Sequence, residues 1–460
     1  MPAGGYERTH RQTDRSENRH QRDPQDQGGE KMKRMLCTML AALLAVFPTA
    51  WISQARAVSA DAFQPRLDTD TSCEITVVGS YSNFEALEAE FESFNEIYPD
   101  VELTYLKPDD YNNLLGTVLE SKEPPNIFFS FPWMYGNEKY HTVFAHMEDL
   151  SDPGLDLDLD CIRPNLLRYD ADGQLLTIPI FARNYGMLVN DDLFEKEGLQ
   201  VPTTWSELLA VCEAFLSKGY ISPMMGYSAD PSSCLMSILV YPEVVAALAD
   251  DPEMLRAANE MDPIAGECMR QSLGSMMQLI GKGYIDLEKC NEISDNYTQV
   301  ILRFFEGDVP MMICMGDTVS GTAKRESQSE AFSAAPFTYS FYPIPLSEDG
   351  GYFIDSPSVE FSVNKACNDL DMTNEFMRFL ISREELNKMA LVKRLVTPTT
   401  DLSFSAVYEP FGQVPAERVL CPEKIGITDP LFVQVRNAAY LVGTGAITID
   451  EAVSRYGSLD

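Results

Sequence analysis

A chain of 460 residues is too long for one hydrophobic core and is expected to form two or more domains, and 45% hydrophobic with 10% aromatic residues excludes a disordered chain. The formal charge is −35, and the first 60 residues hold nine Lys/Arg against six Asp/Glu, so the remainder carries −38. A body this acidic repels nucleic-acid phosphates and anionic lipid surfaces, so nucleic acid is not an expected partner.

The N-terminus has the order of an export signal. Residues 1–30 are polar, Lys31-Met32-Lys33-Arg34 is basic, and an apolar run from Met35 to Ile52 follows. Ala55-Arg56-Ala57 then offers a small-residue cleavage site, so residues 1–57 read as an N-terminal extension plus signal peptide. Val58-Ser59-Ala60 is a second candidate site, Met32 or Met35 an alternative start, and an uncleaved anchor the other reading. Cys37 opens the apolar run, whereas a lipid-modified cysteine closes it, so no lipid anchor is evident. Nine cysteines remain, an odd number, and no spacing resembles a zinc ribbon or a CxxC pair. Cys212, Cys268 and Cys314 lie in apolar contexts that suit a buried free thiol, and most thiols are expected to be free.

Glu74–Gly79 reads as the first strand, ending in the polar loop Ser80-Tyr81-Ser82-Asn83. Phe84, Leu87, Phe91, Phe94 and Tyr98 mark one face of a helix that Pro99 stops. Val101, Leu103 and Tyr105 alternate with polar residues as a second strand, and Tyr111, Leu114, Leu115 and Val118 support a further helix. Asn126–Phe129 is a buried strand leading to Ser130-Phe131-Pro132-Trp133. Strand–helix alternation of this kind implies a mostly parallel sheet, with ligands beyond the carboxyl ends of its strands.

The stretch 175–209 organises the rest. Leu176–Pro179 is a short apolar strand whose proline suits an edge or an end. Phe181-Ala182-Arg183-Asn184 sets a polar pair in apolar surroundings, and Tyr185–Asn190 is a second strand. A helical turn from Asp191 closes at Gly198, and Thr204 with Glu207 forms a capping box for a helix whose apolar face is Trp205, Leu208, Leu209, Cys212 and Phe215. Residues 232–300 read as helices packed with Met276, Met277, Leu279 and Ile280. Phe341–Pro345 and Ser358–Lys365 are later strands, Phe376, Phe379 and Leu380 lie on one helix, and helices around Phe432 to Tyr456 end the chain, with Thr448 and Glu451 capping the last.

This order of segments resembles the extracellular solute-binding proteins of bacterial ABC importers, and within them the family-one, maltose-binding-protein-like group. The matching residues are Phe94–Pro99, Pro125-Asn126-Ile127, Ile178-Pro179, Val189–Phe194, Pro202–Leu208 and Phe304–Met312. Asn126 stands where the family has Asp, Val189 where it has Tyr, and Gly316-Asp317-Thr318 where it has G-x-W, so the tryptophan that stacks on sugar is missing. The resemblance spans about residues 73–457. It implies an α/β, two-lobed periplasmic-binding-protein-like (type II) fold with a hinge between lobes. The implied division is 73–182 and 355–400 for the first lobe, and 183–354 and 401–460 for the second. It also implies capture of a sugar or oligosaccharide, a membrane permease as partner, a monomeric state, and no cofactor.

Reactive constellations are mostly missing from the sequence. His141 and His146 are five apart, not the HExxH spacing of a zinc hydrolase, and Gly316–Gly321 has the glycines of a phosphate loop without its Lys-Ser/Thr. Asp156-Leu157-Asp158-Leu159-Asp160 lacks the glycine and glutamate of a calcium loop. No catalytic or metal residue is assigned. The candidate ligand residues are Tyr81, Asn83, Trp133, Arg183, Asn184, Asp230, Asp317 and Phe432. They combine flat aromatic faces for sugar C–H surfaces with planar polar groups for paired hydroxyls. Another polar solute, such as a polyamine or phosphodiester, or an exported hydrolase working through paired carboxylates, are the alternatives.

Overall fold

The computed structural model describes residues 63–459 apart from Asn83 and Gly136. The signal-like segment 1–57 and Asn83 lie outside the described residues, and no helix within them is long and apolar enough to cross a membrane. The chain opens with strands β1 (Cys73–Val78), β2 (Val101–Leu106), β3 (Ile127–Ser130) and β4 (Ile178–Pro179). It continues through β5 (Ala182–Arg183), β6 (Tyr185–Asn190), β7 (Met224–Gly226), β8 (Met311–Met315) and β9 (Tyr339–Tyr342). The last are β10 (Phe353–Ile354), β11 (Ser356–Pro357), β12 (Glu360–Val363) and β13 (Val419–Leu420).

Among the described residues these strands form two main sheets. One has the order β2-β1-β3-β12-β4 and the other β7-β8-β6-β9. In the first, β1 is parallel to β2 and β3, as strand–helix alternation predicts, while β12 returns antiparallel between β3 and β4. Strand β4 is the edge, the place in a sheet that tolerates a proline such as Pro179. The helix Glu85–Asn95 buries Phe91 and Phe94 against Phe376 and Phe379 of the helix Leu370–Leu380, with ring centroids 5.0–5.7 Å apart. Asn126 replaces the expected aspartate for a visible reason. Its carbonyl oxygen accepts from Thr76 N–H at 3.0 Å, while its amide donates to Asn368 O and Thr373 Oγ1 at 2.8 Å, a donor role closed to a carboxylate.

In the second sheet β7 runs parallel to β8, and β6 is antiparallel to β8 and β9. The following helix Asp191–Glu197 is capped by Asn190 and ends at Gly198 in the left-handed region, φ 69°. The cap of the next helix, Trp205–Ser217, differs from the expected box. Thr204 accepts from Glu207 N–H, but the Glu207 carboxylate reaches one residue further, to the N–H and hydroxyl of Thr203. Val211 joins Leu208, Cys212 and Phe215 on its buried face, and Trp205 is only half-buried. The capping box of Thr448 and Glu451 is complete. The nine cysteines of the described residues are free thiols, with Cys212 and Cys314 buried and Cys268 partly so.

Three segments join the sheets, and they hold one another. Ile180 N–H donates to Val359 O at 2.9 Å and Ser358 N–H to Phe181 O at 2.9 Å, while β5 and β11 pair antiparallel with Arg183 opposite Ser356. Ala182 N–H donates to Val396 O at 3.0 Å, adding the third segment. Arg163 ties the bundle: its guanidinium forks onto Asp355 at 2.7 and 2.9 Å and donates to the carbonyls of Thr397 and Thr399. Asp355 is almost wholly buried, at 1% exposure, so this pair is shielded from water. Two sheets with helices, linked by three interlocked strands, make the two-lobed hinged architecture the segment order predicts.

Candidate functional site

Beside the three crossing segments lies a cleft of about 740 Å³ between the lobes. Its first-lobe wall is the turn after β3. Pro132 starts a 3-10 turn, Pro132–Met134, which turns Trp133 outward, and Tyr135 follows. Trp133 stacks on Phe131 at 5.7 Å with planes 12° apart and meets Tyr140 edge-on at 5.4 Å, so its packing fixes the ring that lines the cleft. Arg168 lies 3.6 Å above the Tyr135 ring and pairs with Glu360 of β12 at 3.2 Å. Glu360 is fully buried and also accepts from the Thr177 hydroxyl at 2.9 Å. Burial raises its carboxyl, against the pull of Arg168 and Thr177.

The floor is the crossing itself. Along an extended chain side chains alternate, so Arg183 and Tyr185 share one side and Asn184 takes the other. Arg183 and Tyr185 line the cleft, whereas Asn184 is wholly buried with its amide touching no partner among the described residues. Its backbone carbonyl accepts from Gly316 N–H at 2.8 Å, and a Cβ on Gly316 would sit 2.7 Å from the Asn184 amide oxygen and 2.8 Å from the Tyr408 hydroxyl. Only glycine fits so close an approach, and that packing aims the next residue, Asp317, back at the crossing. Asp317 accepts from the Ser358 hydroxyl at 2.6 Å and lies 3.7 Å from the Arg183 guanidinium.

The second-lobe wall comes from two helices. Leu235–Ala249 contributes Tyr241, whose ring meets Tyr185 at 5.7 Å and Phe432 at 4.8 Å, both edge-on. Asp429–Gly443 contributes Asp429, Phe432 and Arg436, the last with its guanidinium carbon 5.5 Å from the Phe432 ring centre. Burial raises the Asp429 carboxyl, with Arg436 and Arg183 opposing. Burial likewise raises the Tyr185 and Tyr241 phenols, keeping both as neutral donors.

The structure thus brings Trp133, Arg183 and Phe432 to one cleft, with Asp317 behind Arg183. Tyr81 is not among the residues lining the cleft: its ring packs edge-on against Phe84 at 5.2 Å and Phe129 at 5.4 Å, although its phenol lies near enough to Asp317 and Arg183 to feel both charges. Asp230 is spent on its own loop, accepting from Ser232 N–H at 2.8 Å and from the Tyr227 hydroxyl, which sets Ser232 and Ser233 at the cleft edge. Thr318, at the missing tryptophan's position, is buried with its hydroxyl on Asn296 O. Sequence reasoning passed over Tyr135, Arg168, Tyr185, Tyr241, Glu423 and Arg436. Arg436 was legible, four residues from Phe432 on one helix face, and so was Tyr185, two residues from Arg183. Tyr241 was not, because its helix is apolar on every side.

The family model of bacterial extracellular solute-binding proteins matches residues 87–414. A search of curated proteins gives no significant match. Solved structures with a similar fold include RafE in complex with raffinose, at 17% identity and TM-score 0.61, covering 84% of this chain and 98% of that one. The sugar-binding protein MalE from Xanthomonas citri aligns at 16% identity and TM-score 0.63, over 84% and 95%. A sugar transporter from Bacillus licheniformis in complex with stachyose aligns at 17% and TM-score 0.59, over 84% and 100%. With the matched model covering most of the chain and the fold agreeing, this protein belongs to the family of bacterial extracellular solute-binding proteins.

Proposed function

We propose that the protein captures an oligosaccharide between its two lobes and delivers it to the membrane permease of an ABC importer. The cleft carries this reading. Trp133 and Tyr135 face it from one lobe and Tyr185, Tyr241 and Phe432 from the crossing and the other, so flat rings line both sides. Its volume of about 740 Å³ lies within the roughly 300–1,000 Å³ of small-molecule sites. The raffinose and stachyose complexes among the similar folds point the same way. The lobes divide as 73–182 with 355–400 and 183–354 with 401–460. The ligand residues are Trp133, Arg183 and Phe432 in contact, with Asp317 orienting Arg183. The protein works as an exported monomer without catalysis, released from its signal near Val58 or Asp61. A thermal-shift screen over neutral and charged oligosaccharides, amines and organic phosphates tests it: stabilisation by an oligosaccharide without turnover is expected. Turnover of the sugar, or stabilisation by amines or phosphates alone, overturns it.

A further inference from the structure

Resting on the oligosaccharide reading of the cleft, we propose that its solute is acidic: a saccharide bearing carboxylates, such as a uronate oligomer. Three guanidiniums, of Arg168, Arg183 and Arg436, line this one cavity in a chain of formal charge −35. Arg168 is neutralised by Glu360 at 3.2 Å. The other two have no hydrogen-bonded carboxylate among the described residues. The nearest carboxylate to Arg183 is Asp317 at 3.7 Å, longer than a hydrogen bond, and one oxygen of that carboxylate serves Ser358. Arg436 makes no ion pair or hydrogen bond among the described residues, and the Nε atoms of both arginines are buried without an acceptor.

The acidic groups of the cavity, Glu423 and Asp429, act on them at a distance, and neither makes a hydrogen bond to these guanidiniums. Glu423 accepts from the Ser356 hydroxyl at 2.5 Å and faces the Cys421 thiol at 3.5 Å. Burial raises the Asp429 carboxyl while Arg436 and Arg183 act against that rise, and Asp429 makes no hydrogen bond or ion pair to either guanidinium among the described residues. A neutral sugar is served by hydroxyls, amides and rings. Two guanidiniums with donors still open, beside aromatic faces, instead suit a ring that carries a planar carboxylate, the group a guanidinium fork matches. The tyrosine hydroxyls of Tyr185 and Tyr241, also without partners among the described residues, remain for the sugar's own hydroxyls.

Calorimetry on the mature protein tests this with matched trisaccharides, galacturonate and glucuronate oligomers beside their neutral galactose and glucose counterparts. The uronates are expected to bind at least about tenfold tighter, as a charged hydrogen bond implies. Their binding weakens with added salt, through screening of a partly exposed pair. Arg436→Gln is expected to cost the uronate about tenfold or more in affinity, and Arg183→Gln likewise. Glu423→Gln, which keeps an acceptor for Ser356, should strengthen it. Arg256→Gln is the charge control, since Arg256 is exposed and pairs with Glu260; it should change nothing. Equal or tighter binding of the neutral trisaccharides overturns the inference and leaves the oligosaccharide reading standing. Uronate binding indifferent to both cleft arginine variants also overturns it. Binding of no trisaccharide of either kind removes the oligosaccharide reading and the inference together.

Discussion

Trp133 sits between two roles, because one face rests on Phe131 and the ring also lines the cleft. Burying such a ring against a solute contributes roughly 1.5–3 kcal/mol, so Trp133→Ala should weaken binding about tenfold to a hundredfold. Indole emission during titration checks it, with Trp133→Phe as the spectroscopic control: a ligand-induced signal that survives in Trp133→Phe, with unaltered affinity in Trp133→Ala, removes Trp133 from the site. Glu375 shows the same residue-scale logic for stability. Burial raises its carboxyl, but hydrogen bonds from Arg378, the Arg66 N–H and the Tyr98 hydroxyl outweigh burial and hold it below its ordinary 4.5. A folded-state value below the unfolded one gives stability that is present above about pH 4.5 and lost as pH falls through the folded value. Glu375→Gln should therefore lower stability at pH 7 by about 1–3 kcal/mol, with the gap from wild type closing in acid. Chemical denaturation at pH 7 and pH 4 measures that gap, and a constant difference would refute the assignment.

Arg163 and Asp355 reinforce the three crossing segments where β5 and β11 match only two residues each. Arg163→Met leaves the Asp355 carboxylate buried without its cation, an uncompensated charge costing about 3–5 kcal/mol. A thermal midpoint close to wild type would show that the hinge is held elsewhere. At this scale the sequence was informative about elements and silent about this pair. Pro179 announced an edge strand and Gly198 a helix end, because each restricts its own backbone. Arg163 and Asp355 are 192 positions apart and gave no local signal.

Two lobes joined by three short strands form a body whose cleft can close, and a solute gripped from both sides favours the closed state by its differential affinity. Small-angle scattering should give a smaller radius of gyration with saturating ligand, and Arg183→Ala should abolish the change; identical curves for wild type with and without ligand would mean a rigid cleft. The sequence alone determined the α/β class, which follows from local periodicity and from proline and glycine positions, and the order of its segments carried the resemblance that implied the family and the crossing between 179 and 185. It also brought forward Trp133, Arg183 and Phe432, each conspicuous in its own segment. Only the tertiary structure decided that Asn184 turns into the protein and that the Tyr81 ring packs on Phe84 and Phe129, since both depend on which side of the chain meets which wall. The same holds for the cleft's charge. In an acidic chain, composition averages over the surface, and only folding gathers Arg168, Arg183 and the distant Arg436 around one cavity.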